Sequence, residues 1–256
     1  MQRMAMVNGL RIAYDESGAG DLAVVLLHGT CGNRRYYAAQ AQHLAGRHRV
    51  LSIDLRGHGE SDVPETGYCL DVLANDVIRV CEVAGVTRAV FCGHSMAVAL
   101  KVVVKRPDLA AGVVLLDGVV LLPPAVRERQ AELARILATD AWRGALLGFF
   151  SGIAAGAADC VCADVSPAAR LYAAPLMRDI ASSDRAEELA AVRCPLMYVH
   201  GSMPLELERL RVVRPDAIVE EIPNVGHWVM LTAPDQVNAM LDRYLQIIDA
   251  RAPGGA

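Results

Sequence analysis

The chain lacks an excess of positive charge. Its 256 residues carry 25 Lys and Arg against 29 Asp and Glu, a formal net charge of -4, so no basic stripe is available to gather nucleic-acid phosphates. Nucleic acid is therefore not an expected partner. The chain also lacks an apolar run long enough to span a bilayer, and its first residues, MQRMAMVNGLRIAYDESG, lack the apolar stretch of a secretory signal. A membrane is not expected as a partner either, and the expectation is a soluble, cytoplasmic protein. Clustered cysteines are missing too. Of the seven, Cys31, Cys69, Cys81, Cys92 and Cys194 stand singly among apolar neighbours, as buried reduced thiols do. Cys160 and Cys162, one residue apart, have no second Cys or His pair nearby; no metal site and no cofactor is expected. Internal repeats and low-complexity segments are absent, apart from a tail, RAPGGA at 251 to 256, expected to fray.

What is present is apolar material in short pieces. Hydrophobic residues make up 54% of the chain, enough for the core of one α/β domain. AVVLLHG (23 to 29), HRVLSIDL (48 to 55), RAVFCG (88 to 93), AGVVLLDG (111 to 118) and PLMYVHG (195 to 201) each end in polar or glycine residues and read as buried parallel strands. LDVLANDVIRVCEVAG (70 to 85) and AVALKVVVKR (97 to 106) read as helices between them, which gives the alternation of a doubly wound sheet. RIAYDES (11 to 17) reads as an earlier, antiparallel edge strand. Residues 119 to 190 break the rhythm: rich in Ala and Arg, with no convincing strand, they read as helices inserted into a core formed by 1–118 and 191–256. Such an insertion is expected to cap the carboxyl ends of the strands, where open α/β sheets bind ligands. An ordinary helical extension packed elsewhere is the alternative.

Gly93-His94-Ser95-Met96-Ala97 follows one of these strands and opens a helix, the setting of a nucleophile elbow. A serine hydroxyl is a poor nucleophile without a base and a group that orients the base. Small residues must flank it two positions away on each side; Ala97 stands where glycine is more usual. His28-Gly29-Thr30-Cys31-Gly32 and Asp54-Leu55-Arg56-Gly57-His58-Gly59-Glu60-Ser61 precede the elbow, and Asn224-Val225-Gly226-His227-Trp228 follows the last strand. In this order the motifs resemble those of the α/β-hydrolase superfamily, from about residue 8 to about 248.

The resemblance implies an α/β-hydrolase fold, a mostly parallel doubly wound sheet with a helical cap, and a set of roles. Ser95 would be the nucleophile, His227 the base, and the N–H groups of Thr30 and Met96 the oxyanion donors. His28 and His58 belong to loop motifs that are structural in the family. His94 adjoins the nucleophile but, on a turn, points elsewhere and is read as a packing and hydrogen-bonding residue. The third member is displaced. Most members carry an acid a few residues after the strand PLMYVHG, yet here the chain continues Ser202-Met203-Pro204-Leu205-Glu206, with no aspartate at that place. Asp117, at the end of AGVVLLDG, is one candidate; haloalkane dehalogenases, zearalenone-lactone hydrolases and cofactor-independent quinolone dioxygenases carry their acid at this strand end. Glu206 or Glu208, or a Ser-His dyad with no acid, are the others.

The function so implied is hydrolysis of a small-molecule carboxylic ester or lactone through an acyl-enzyme, with Trp142, Phe149 and Phe150 as apolar walls or, equally, as packing within the cap, and Trp228 as a further substrate-binding residue. A cofactor-independent oxygenase acting on a hydroxylated aromatic heterocycle and a non-catalytic ligand receptor are the alternatives on the same fold.

Overall fold

The computed structural model describes residues 1–182 and 184–251; of the tail expected to fray, 252–256 lie outside the described residues. Among the described residues eight strands form one sheet: β1 (Gln2–Val7), β2 (Leu10–Ser17), β3 (Ala23–Leu27), β4 (Arg49–Ile53), β5 (Ala89–His94), β6 (Ala110–Leu116), β7 (Leu196–His200) and β8 (Ile218–Glu221). Their order is β1-β2-β4-β3-β5-β6-β7-β8. From β4 to β8 all neighbours run parallel. Every residue of β3 and β5 is buried. Since alternate side chains point to opposite faces, both faces must be covered. Helices α1 (Ala38–Leu44), α2 (Leu70–Val83) and α3 (Val98–Lys105) fill the crossovers; α2 and α3 pack together in one layer, and α1 packs with the last helix, α11 (Pro234–Ala250), in another.

The amino-terminal segment corrects one expectation. RIAYDES is antiparallel, pairing Tyr14 with Ile53 of β4, but it is not the edge. Asn8 and Gly9 both take positive φ, 51° and 83°, the conformation of a two-residue hairpin turn, and fold β1 back along β2 with Val7 opposite Leu10. At the other edge β8, sequence IVEE, has no apolar run to announce it and is only partly buried.

Between β6 and β7 lie five helices, α4 (Pro124–Leu137), α5 (Trp142–Ile153), α6 (Ala158–Ala163), α7 (Ala169–Ser182) and α8 (Ala186–Ala191); α9 (Leu207–Val213) follows β7 and α10 (Val229–Thr232) precedes α11. Helix α4 packs on α7. Helix α11 is tied to the sheet by Tyr244, whose hydroxyl accepts from Val113 N at 2.9 Å and donates to Pro195 O at 2.6 Å. Gly112 makes that approach possible, because a Cβ there would lie 2.4 Å from the Tyr244 oxygen. Among the described residues no helix is long and apolar enough to cross a membrane, and no group of three or more His, Cys, Asp or Glu is placed to hold a metal ion.

Candidate active site

The chain passes from β3 outward to β4 and then returns to lay β5 on the opposite side of β3. At such a reversal the loops leaving β3 and β5 diverge and open a crevice at the carboxyl ends of the strands. The register aligns those ends: Leu27 pairs with Gly93, His94 with Leu116, and Leu116 with Val199. Just beyond these rungs come the His28–Cys31 loop, Ser95, Asp117 and the Gly201–Met203 loop. Residues far apart in sequence thus emerge side by side along one edge.

Ser95 sits at φ 60°, a left-handed conformation that costs a residue with a Cβ about 1–2 kcal/mol. The backbone is held there from β6 and the loop that follows it: Ser95 N donates to Leu116 O at 3.1 Å, and Val119 N donates to Ser95 O at 2.7 Å. Close packing explains the small flanking residues. A Cβ on Gly93 would lie 2.7 Å from the Cβ of Ala99, and one on Gly29 would lie 2.8 Å from that of Ser95. Ala97 has φ -74°, so its position demands small size but no glycine conformation, which is why alanine serves.

The loop after β3 is fixed by buried polar groups. His28 donates from Nδ1 to Gly29 O at 2.8 Å and accepts at Nε2 from Leu55 N at 3.0 Å; burial pushes its pKa down to about 4, so the neutral ring holds both bonds. Asp54, fully buried, accepts from Arg34 N at 2.6 Å and Glu60 N at 2.9 Å and pairs with the Arg34 guanidinium. Thr30 faces the cavity in front of Ser95. Among the described residues neither Thr30 N nor Met96 N has a backbone acceptor.

Asp117, also left-handed at φ 46°, is fully buried. Its N–H donates to Val199 O at 2.7 Å. Its carboxylate accepts from Gly201 N at 2.8 Å, Ser202 N at 3.1 Å and Met203 N at 3.0 Å, and from His227 Nδ1 at 2.8 Å. With Nδ1 bonded to a carboxylate, Nε2 is the nitrogen left to act as base. Glu206 and Glu208 are elsewhere occupied, accepting from Arg209 and Arg211 one turn along α9. The short loop after β7 therefore meets Asp117 with backbone amides and brings no carboxylate of its own to His227. His200 braces that loop, its Nε2 donating to Met203 O at 2.9 Å.

His94 lies beneath the His227 segment, donating from Nε2 to His227 O at 3.0 Å with the two rings 4.5 Å apart. Burial and the neighbouring imidazole hold its pKa well below the usual histidine range. The same segment is pinned from the insertion: His227 N donates to Ile153 O at 2.8 Å, and Gly226 passes so close to Ala154 that a Cβ would lie 2.6 Å from its carbonyl.

Ser95 and His227 line one chamber of about 20 Å³, room for about one water. Phe149, Phe150 and Trp228 stand in its wall, with the Trp228 ring edge-on to Phe150 at 5.3 Å. Trp142 does not line it. It lies seven residues before Phe149, about 10.5 Å along the helix axis, and its ring meets the Arg143 guanidinium at 5.8 Å instead. Gln130, Ile153, Met177, Ile180 and Met203 also line the chamber; for the first four only their place on inward helix faces could have signalled them, and Met203, in the loop after β7, offered no pattern at all.

A family model described as "Alpha/beta hydrolase family" matches residues 24–240, and the chain belongs to this family. It is 26% identical over 258 residues, 92% of its own length and 91% of the relative's, to the 2-(acetamidomethylene)succinate hydrolase of Mesorhizobium japonicum. Among solved structures it resembles a thermophilic esterase from Thermogutta terrifontis, with a TM-score of 0.81, 22% identity and coverage of 97% of this chain and 99% of that one. It also resembles the enol-lactonase of Burkholderia xenovorans LB400, with a TM-score of 0.79, 21% identity and coverage of 95% and 100%. The family match places the chain among the α/β hydrolases, and the structural likenesses agree with its eight-stranded, mostly parallel sheet.

Proposed function

We propose that the protein is a serine hydrolase that cleaves a small-molecule carboxylic ester or lactone through an acyl-enzyme, with Ser95, His227 and Asp117 as its triad and the helical insertion as its cap. The observation that carries this reading is the 2.8 Å bond from His227 Nδ1 to a fully buried Asp117 carboxylate, with His227 and the left-handed Ser95 in one chamber. Ser95 Oγ attacks the carbonyl while His227 Nε2 takes its proton. Asp117 holds the imidazole in the productive tautomer and stabilises the imidazolium that forms. The N–H groups of Thr30 and Met96 are the donors for the tetrahedral oxyanion. His227 then returns the proton to the leaving alkoxide, and a water activated by the same nitrogen releases the acid.

The test is an active-site label beside a substrate panel. A fluorophosphonate should modify Ser95 stoichiometrically, and Ser95→Ala should lose both labelling and turnover of simple esters and lactones. Turnover retained in the alanine variant would overturn the acyl-enzyme. A second reading, cleavage of an acyl–nitrogen bond by the same residues, is favoured by the Mesorhizobium relative, named for an acetamido substrate. Labelling of Ser95 with turnover of acetamido compounds in place of esters would decide for it.

A further inference from the structure

Helix α4 turns Gln130, Ala134 and Leu137 inward, at the spacing of one helix face. Two of these are ordinary packing residues. Gln130 is not: it is 4% exposed, and its Oε1 is buried with no hydrogen-bond partner. A buried acceptor without a donor destabilises the fold, whereas an apolar side chain of similar shape at the same place does not. An amide kept there points to a partner that arrives with the ligand.

Its position says where that partner sits. Gln130 lines the chamber of Ser95 and His227, and it also lines a second chamber of about 330 Å³ walled by Val126, Leu133, Phe149, Ile153 and Pro204. The inner chamber, at about 20 Å³, accepts little beyond a reacting carbonyl group. The two chambers share Gln130, Phe149, Ile153 and Met203 in their walls, so the outer one is the adjoining space for a larger substrate; its wall is apolar apart from Gln130 and Arg129, the latter exposed with its guanidinium free to keep its water.

We propose that Gln130 is a substrate-recognition residue and that the substrate is an ester or lactone with an apolar arm, carrying an N–H or O–H donor between that arm and the reacting carbonyl. The inference rests on the serine-hydrolase reading above. The carbonyl lies at Ser95, the arm fills the outer chamber, and the donor meets Gln130 Oε1 at the neck. A substrate without the donor leaves that oxygen unpaired and is turned over more slowly.

The methyl ester of N-hexanoylglycine and its N-methyl counterpart differ in the donor and keep the arm. The wild-type kcat/KM should favour the N–H ester by about tenfold or more, the discrimination a site built to pair a substrate donor shows against an analogue lacking it. Gln130→Met should bring that ratio to within about twofold, since it keeps length and removes the acceptor. Equal wild-type rates on the two esters, with prompt fluorophosphonate labelling of Ser95, would overturn this inference and leave the hydrolase reading standing; this measurement needs no variant. A preference that survives in Gln130→Met would overturn it as well. Failure of Ser95 to label would remove the hydrolase reading, and this one with it.

Discussion

Strand β6 ends in a carboxylate, and its neighbour β7 ends in three amides directed at it. Asp117 leaves β6 in a left-handed turn, fully buried, and the Gly201–Met203 loop leaves β7 one rung away with its N–H groups on the Asp117 oxygens. The two loops have divided a task that a single acidic residue could not perform alone. A buried carboxylate is costly unless hydrogen-bonded, so the strand that supplies the charge depends on the strand that solvates it. The shortness of the β7 loop is part of that arrangement: a longer loop with its own acid would place a second negative charge where these amides now donate.

The largest effect that could break this comparison is expected at the β6 end. Asp117→Asn keeps the shape but presents an amide to His227 Nδ1 and permits the wrong tautomer, so kcat should fall by up to about four orders of magnitude, measured on the substrate found by the panel, with a thermal melt showing the variant folded. Near-normal kcat would dissolve the assigned role. A smaller but still clear effect belongs to the β7 end. In Gly201→Ala the new Cβ would lie 2.6 Å from Val229 Cγ1 and 3.2 Å from Asp117 Cγ, which displaces the amide from the carboxylate. The kcat should drop about 10–100-fold, as for a misplaced supporting group, and Tm should fall; an unchanged kcat would show that the amides are dispensable.

Acid should sharpen the contrast between this polar edge and the hydrophobic core. His28 and His58 are buried with pKa values pushed down to about 4 and about 3, and His94 is pushed well below its ordinary value. In the unfolded chain each titrates near its ordinary value, about 6.5. Between about pH 6.5 and 4 the unfolded state therefore binds more protons than the native one, and stability falls as pH falls, by up to about 1.4 kcal/mol per pH unit for each such histidine. It is fully present above that window. Urea midpoints measured from pH 7 to 4.5 should decline steadily, and a flat profile would show these rings to be charged in the native state. The smallest effects are expected on α9. Glu206→Gln and Glu208→Gln remove carboxylates paired with Arg209 and Arg211 at the surface, contacts worth little, and kcat should change less than about twofold. A crippled Glu206→Gln beside an active Asp117→Asn would return the acid to the β7 side.

The sequence was most legible where local pattern and local chemistry coincide. The five apolar runs became β3 to β7 with boundaries shifted by a residue or two, and the helices after β4 and β5 began within a residue of the expected place. The hairpin of β1 was missed although Asn8-Gly9 was there to be read, because alternation across Met4, Ala5, Met6 and Val7 is masked by methionines on the exposed face. β8 offered too few apolar residues for any pattern to register. At the site, Ser95, His227 and the His28–Gly32 loop stood out as motifs, while Trp142 was grouped with Phe149 and Phe150 by residue type alone and lies about two helical turns away from the chamber they line.

By itself, then, the amino-acid order determined the things that depend on neighbours in the chain: which segments are buried strands, where a serine sits on a strand-to-helix turn, and which histidine follows the last strand. Tertiary structure alone decided which acid meets His227 and that Gln130 lines the chamber of Ser95. Asp117, Glu206 and Glu208 are chemically equivalent candidates in one dimension. Only the pairing of β6 with β7, set by the burial of both faces of the sheet, brings three loop amides and an imidazole to one carboxylate and leaves the two glutamates to surface arginines. Gln130 carries no local signal either, since an amide on a polar-rich helix is ordinary until the packing of that helix turns it toward the crevice.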